Sequence, residues 1–365
     1  MSQIEKFGVE MTEHAQAPRR RRRIRKAILV TVGVLIGIPA LLATGLTVWD
    51  GGANLDPQRE LLPGVAIDLR TAETDRGPIE YDLHGTDGPV VLSVHAGLGG
   101  ADQGRLFASW LQDDGYRILS PSRPGYLGTP LSSGRTLDEQ ADLLAALLDE
   151  LHIDRVGVFA ASAGSPVAYT FAARHPERVW GLVSIGGVSL PDADADVDAD
   201  AAPRSPLRAA FLNAIVQKLA KLTASISLES IVSGTLDETS TFTDEQKAER
   251  ADYIMHTENA RLFFEAIFDA TFPYEKRMPG TDNDSLQTQA MDIAFDRVTA
   301  PTLILHGTQD GDVPFEHGEN AAAQIPSAQH HWMPDEEHLG FWLSPQSEDA
   351  QRAAGAFLHE HAPQR

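Results

Sequence analysis

The chain has 365 residues, no cysteine and a formal net charge of −22. The lack of cysteine excludes disulfides, thiolate metal ligands, a cysteine nucleophile and a lipid-modified N-terminal cysteine, while fitting oxidising and reducing compartments equally. Charge is unevenly placed: residues 1–49 hold 8 basic and 3 acidic side chains, whereas the remainder holds 22 and 49, a net of −27 that repels phosphate backbones and argues against nucleic acid as a partner.

In chain order, Arg19, Arg20, Arg21, Arg22, Arg23, Arg25 and Lys26 run directly into Ala27–Trp49, 23 residues without a charge. Such a run spans about 34 Å as a helix, enough to cross a bilayer. Positive charge stays inside, so residues 1–26 read as a basic cytoplasmic tail and 27–49 as a transmembrane signal anchor, with everything beyond on the outer face of the membrane. Small residues at Ala43 and Gly45 leave a cleaved signal peptide, and hence a secreted domain, as the alternative. Residues 50–63, rich in Gly, Pro and charge, read as a linker.

Apolar or alternating runs at Val65–Leu69, Ile79–Leu83, Val90–His95, Arg117–Ser120, Val156–Ala161, Val179–Ile185 and Thr302–His306 are strand candidates. Helical patterns lie between them. The clearest starts at Thr136, with Glu139 completing a capping box and Leu137, Ala141, Leu144, Leu148 and Leu151 on one face. This alternation predicts an α/β fold: a mostly parallel sheet flanked by helices, built from residues 64–190 and 293–365. Residues 191–292 interrupt it and read as a helical cap. It opens on the acidic run Pro191–Asp200, a solvated linker rather than a calcium loop because the turn Gly and terminal Glu are missing. Leu207, Phe211, Ile215 and Leu219 follow at helical spacing, then a second capping box at Thr243 and Gln246. Phe263, Phe264, Ile267, Phe268 and Phe272 make a third segment aromatic, as core or as the lining of an apolar substrate site.

The chemistry concentrates where the run Val156–Ala161 meets Ser162-Ala163-Gly164 and a helical pattern over Val167–His175. Ala160-Ala161-Ser162-Ala163-Gly164 is a G-x-S-x-G nucleophile elbow with Ala for the first Gly; the strained turn needs small side chains two residues either side of the Ser. The following helix N-terminus directs partial positive charge at the reaction centre.

On these residues the chain resembles the α/β-hydrolase superfamily from about Val65 to Ala362. His95-Ala96-Gly97-Leu98-Gly99-Gly100 is similar to the family's oxyanion loop, departing from it at Ala96 and Leu98, and the resemblance implies Gly97 and Ala163 as backbone oxyanion donors. Ser120–Tyr126 resembles the turn after the family's fourth strand; within it Arg123 reads as an ion-paired surface residue, with substrate contact the alternative. Thr302–Pro314 resembles the strand and loop that deliver the triad acid, which falls on Asp310, with Asp312 and Asp192 as competitors. Trp332–Phe341 resembles the loop of the catalytic histidine, which falls on His338. The order Ser162, Asp310, His338 is the superfamily's order.

The resemblance implies a membrane-tethered serine hydrolase that cleaves a small-molecule ester through an acyl-enzyme, with no cofactor and no metal. Aminopeptidase or amidase chemistry on the same triad, as in prolyl iminopeptidase-like members, is the alternative; an inactive binding protein of the same fold is another. Carbon–carbon hydrolysis and perhydrolysis also retain such a triad.

Overall fold

The structure, a computed structural model, describes residues 55–191, 217–218, 220–221, 224, 226–289, 291–326 and 328–363. The basic tail, the run expected to span a membrane, and, of the expected cap, Leu207, Phe211, Ile215 and Leu219, lie outside them, as does Asp192. Among the described residues no helix is long and apolar enough to cross a membrane.

The first strands are a short antiparallel pair, β1 (Glu60–Leu62) and β2 (Val65–Ala66). Part of the expected linker at 50–63 is therefore a strand: Leu61 and Leu62 pack against Leu106, Ala266 and Ala270, which ties this stretch to the domain. The expected strand at Val65–Leu69 is limited to β2.

An eight-stranded sheet forms the core. Its strands are β3 (Arg70–Thr74), β4 (Gly77–His84), β5 (Val90–Val94), β6 (Arg117–Pro121), β7 (Val156–Ala161), β8 (Val179–Ile185), β9 (Thr302–Gly307) and β10 (Ala328–Met333). They lie in the order β10-β9-β8-β7-β5-β6-β4-β3. The pairs β3–β4 and β4–β6 are antiparallel and every other pair is parallel. The central strands VVLSV, VGVFAA, VWGLVSI and TLILHG are buried along their whole length, as parallel strands covered on both faces must be. The edge strands carry polar residues instead, RTAET at β3 and AQHHWM at β10, which discourages further pairing.

The helices are α1 (Ala101–Phe107), α2 (Leu137–Glu150), α3 (Ser165–Arg174), α4 (Leu228–Thr239), α5 (Asp244–His256), α6 (Glu258–Asp269), α7 (Met278–Gln289), α8 (Glu316–Gln324), α9 (Gly340–Leu343) and α10 (Ser347–His361). Both expected capping boxes form, Thr136 with Glu139 on α2 and Thr243 with Gln246 on α5. Alternate strand residues feed opposite cores: Leu92, Val158 and Leu182 join α2 and α3 on one face, while Val91, Phe159 and Val183 join α9 and α10 on the other.

Helices α4 to α7 fall between β8 and β9, in the stretch expected as a cap. The aromatic segment packs as core: Phe264 and Phe272 are buried, and Phe263 stacks on Trp342 with ring centroids 6.2 Å apart.

Candidate active site

Ser162 is the first residue after β7, and its φ of 50° lies in the left-handed region that non-glycine residues avoid. The strain is held by packing. A Cβ at Gly164 would collide with the backbone carbonyls of Val94 and His95, so only glycine lets the turn press against the end of β5. A short 3₁₀ turn over Ser162–Gly164 then leads into α3, whose N-terminus stands behind the serine.

Asp310 leaves the end of β9 and His338 follows β10. His338 Nδ1 and Asp310 Oδ2 are 2.7 Å apart, and both side chains are buried. The other carboxylate oxygen, Oδ1, accepts hydrogen bonds from the backbone N–H groups of Asp312 and Val313, at 3.0 and 2.8 Å. His306 Nε2 donates to the Val313 carbonyl at 2.9 Å and lies 3.4 Å from Asp310 Oδ2. Burial opposes ionisation of Asp310, but the His338 cation and these donors outweigh it and hold the carboxyl below the usual carboxylate range. Burial likewise opposes the His338 imidazolium and is outweighed by Asp310, with Asp312 and Glu337 adding to the effect, so the ring is held above the ordinary histidine range.

The loop after β8 joins serine to histidine. Val188 N–H donates to the Ser162 carbonyl at 3.3 Å. Gly186 has φ of +51°, and a Cβ there would stand 3.2 Å from the His338 ring. Among the described residues no hydrogen bond links the Ser162 hydroxyl to His338; the Nε2 edge of the ring lies 3.5 Å from Asp312 Oδ2. Asp312 is 56% exposed and Asp310 is fully buried at the side chain. Gly97 and Ala163 face each other, with a Cβ on Gly97 falling 3.9 Å from that of Ala163.

The loop His95–Gly100 is braced by buried polar groups, among which the sequence singles out neither Arg277 nor Asp284. His95 is buried: its Nε2 accepts from Arg123 N–H at 3.0 Å, so Nδ1 carries the proton and donates to the Ala96 carbonyl at 2.7 Å. Burial and the neighbouring Arg123 push this ring far toward its neutral form. Arg123 is not a surface residue. Its guanidinium is buried and grips Asp284 of α7 at 2.6 and 2.7 Å, with the Tyr126 hydroxyl donating to the same carboxylate at 2.6 Å. Arg277, also buried, pairs with Asp102 and donates to the Gly99 carbonyl at 2.7 Å, while the Leu98 N–H donates to Thr281 Oγ1 at 3.2 Å. On the histidine side, Arg250 of α5 pairs with Glu336 and Glu337. The Thr239 carbonyl, at the end of α4, accepts from Gly311 N–H at 2.9 Å and His338 N–H at 3.2 Å. Charge alone gave no signal for these pairs, because their partners lie 86 to 175 positions apart.

A serine strained at the exit of a central parallel strand, with a buried His–Asp pair carried by the two strands on one side of it, defines a hydrolase of the α/β class. The chain belongs to the alpha/beta hydrolase fold family, whose sequence pattern matches residues 89–345. An alpha/beta hydrolase fold protein from Nakamurella multipartita is 36% identical, with a TM-score of 0.72 over 80% of this chain and 99% of that one. A 2-hydroxy-6-oxononadienedioate/2-hydroxy-6-oxononatrienedioate hydrolase of Cupriavidus pinatubonensis is 27% identical over 270 residues, 70% of this chain and 83% of that protein. The uncharacterized hydrolase YcgS of Bacillus subtilis is 36% identical over 111 residues, 30% of this chain but only 38% of that protein.

Proposed function

We propose that this chain is a serine hydrolase of carboxylic esters in which Ser162 is the nucleophile, His338 the general base and Asp310 the acid that orients it. The observation that carries the reading is the buried 2.7 Å bond between His338 Nδ1 and Asp310, the histidine–acid pair that such a mechanism requires. His338 Nε2 takes the hydroxyl proton as Oγ bonds to the carbonyl carbon, and Gly97 and Ala163 N–H groups receive the oxyanion. The ester C–O bond then breaks, His338 protonates the departing alcohol, and water, activated by the same ring, releases the acid from Ser162. The test is a fluorophosphonate probe on the purified full chain: wild type labels and Ser162→Ala does not. Absence of labelling in folded wild type overturns the reading.

Carbon–carbon hydrolysis is the second reading, favoured by relatives spanning most of the domain. The compound in the Cupriavidus relative's name has no ester or amide bond, so its hydrolysis must break carbon to carbon. A panel of p-nitrophenyl esters, aminoacyl amides and 2-hydroxy-6-oxodienoates decides between bond types; turnover of the dienoate alone would replace the ester assignment.

We also propose that residues 27–49 anchor the enzyme, with the catalytic domain outside the cytoplasm, supported by the basic cluster abutting an uncharged run of spanning length. Protease digestion of intact cells should remove the domain but spare the tail. Retention of the whole chain in the soluble cytoplasmic fraction would refute it.

A further inference from the structure

We propose that Arg250 is the positioning residue for the candidate general base: from α5 it neutralises the two carboxylates that immediately precede His338, and so fixes the place and the charge surroundings of that ring. This inference rests on the serine-hydrolase reading above.

Glu336 and Glu337 are 3% and 0% exposed, so the loop buries two adjacent acids beside the histidine it presents. Two uncompensated carboxylates there would be strongly unfavourable. Arg250, itself buried, reaches both: Nη2 meets Glu336 Oε2 at 2.5 Å and Nη1 meets Glu337 Oε1 at 2.9 Å. One planar fork thus serves two acids, and the guanidinium lies over the Phe242 ring, 5.3 Å from its centroid. The other oxygen of Glu337 accepts the Leu339 N–H at 2.5 Å, so the cation is connected through one side chain to the backbone just after His338. The backbone of His338 is held from the same direction, its N–H on the Thr239 carbonyl of α4.

The arrangement also sets charge. His338 is faced by Asp310 on Nδ1 and Asp312 on Nε2, with Glu337 next to it in the chain, His306 behind Asp310, and Glu238 of α4 near enough to Asp312 to feel its charge. Against these acids stands the positive charge of Arg250. Burial, only partly countered by Arg250, pushes Glu337 up to about 7, below the raised range of His338, so this carboxyl is ionised where the ring titrates. Removing Arg250 leaves more net negative charge around His338, favours the imidazolium and demands a higher pH for the neutral base. Removing the Glu337 charge does the reverse.

The experiment follows the pH dependence of fluorophosphonate labelling, and of kcat and KM for an ester substrate, in the full chain and its variants. Arg250→Met should move the acid limb up by about one pH unit and lower kcat at pH 9 at least about tenfold with little change in KM. Arg250→Lys, a single charge without the fork, should fall between. Glu337→Gln should move the limb down, and Arg250→Met combined with Glu337→Gln should bring it back toward wild type. A purely structural pair predicts loss at every pH with an unmoved limb, or movement in one direction for both single variants; either result overturns the proposal. Should Arg250→Met fail to fold, Arg250→Lys and Glu337→Gln carry the same opposed shifts. Labelling of wild type with unshifted variants sinks this inference alone, whereas folded wild type that never labels sinks the serine-hydrolase reading itself.

Discussion

Asp310 and Asp312 are two residues apart and chemically identical, and their surroundings give them different work. Asp310 is buried, bonded to His338 Nδ1 and fed by two backbone N–H groups; Asp312 is half-exposed at the other ring edge. Asp310→Asn should therefore lower kcat/KM by about 10³- to 10⁴-fold, because the amide no longer enforces the tautomer or supports the cation. Asp312→Asn should change it less than about tenfold while lowering the pH at which activity appears, since a carboxylate favouring the imidazolium is lost. Steady-state kinetics from pH 5 to 10 checks both; the reverse ranking would move the acid to Asp312. The His338 ring, held above its ordinary range, also predicts that wild-type activity rises with pH on the acid side as the base becomes free.

At the scale of elements, the helices inserted between β8 and β9 are joined to the site loops by buried ion pairs rather than by apolar contact alone. Arg277 with Asp102 is wholly buried, and Arg123 with Asp284 nearly so. Cutting one partner strands the other in a medium that does not solvate it, so Arg277→Met should destabilise the domain by about 3–5 kcal/mol, measured by urea denaturation. Thr136→Ala removes only an exposed capping box and should cost about 1 kcal/mol. Equal losses from the two variants would mean that the buried pair contributes no more than a surface cap. Arg277 also holds the Gly99 carbonyl, so its variant should retain less activity than Thr136→Ala when both are assayed folded.

Across the whole molecule, acidity and burial set opposing demands on pH. Burial, incompletely offset by Arg105, raises Asp82 to about 6, and burial raises Glu337 to about 7; both bind protons more tightly folded than unfolded. Their stabilising contribution is full below the unfolded carboxylate range and is lost as pH rises through these values. Asp310, held low, contributes above the ordinary aspartate value of about 3.9 and loses its contribution as pH falls further. Thermal stability should therefore peak at about pH 4, and the net charge of −27 after residue 49 should make added salt raise Tm at pH 8 by screening repulsion. A Tm that climbs steadily from pH 5 to 8 would contradict this balance.

The sequence alone determined what local pattern can encode. Continuous apolar runs mark the buried parallel strands, the two capping boxes mark helix starts, and small residues around Ser162 mark the tight turn; each is a property of neighbours within about ten residues. Resemblance pointed to Gly97, Asp310 and His338, and the structure brings Asp310 and His338 into one bond. Edge strands β3 and β10 were less visible because a strand with one solvated margin carries polar residues. Tertiary structure alone decided the pairings of Arg123 with Asp284, Arg277 with Asp102 and Arg250 with Glu336 and Glu337, and hence that Arg123 is buried. A charged side chain in sequence reads as solvent-facing, and only the fold, by bringing a distant opposite charge within hydrogen-bond reach, makes its burial tolerable.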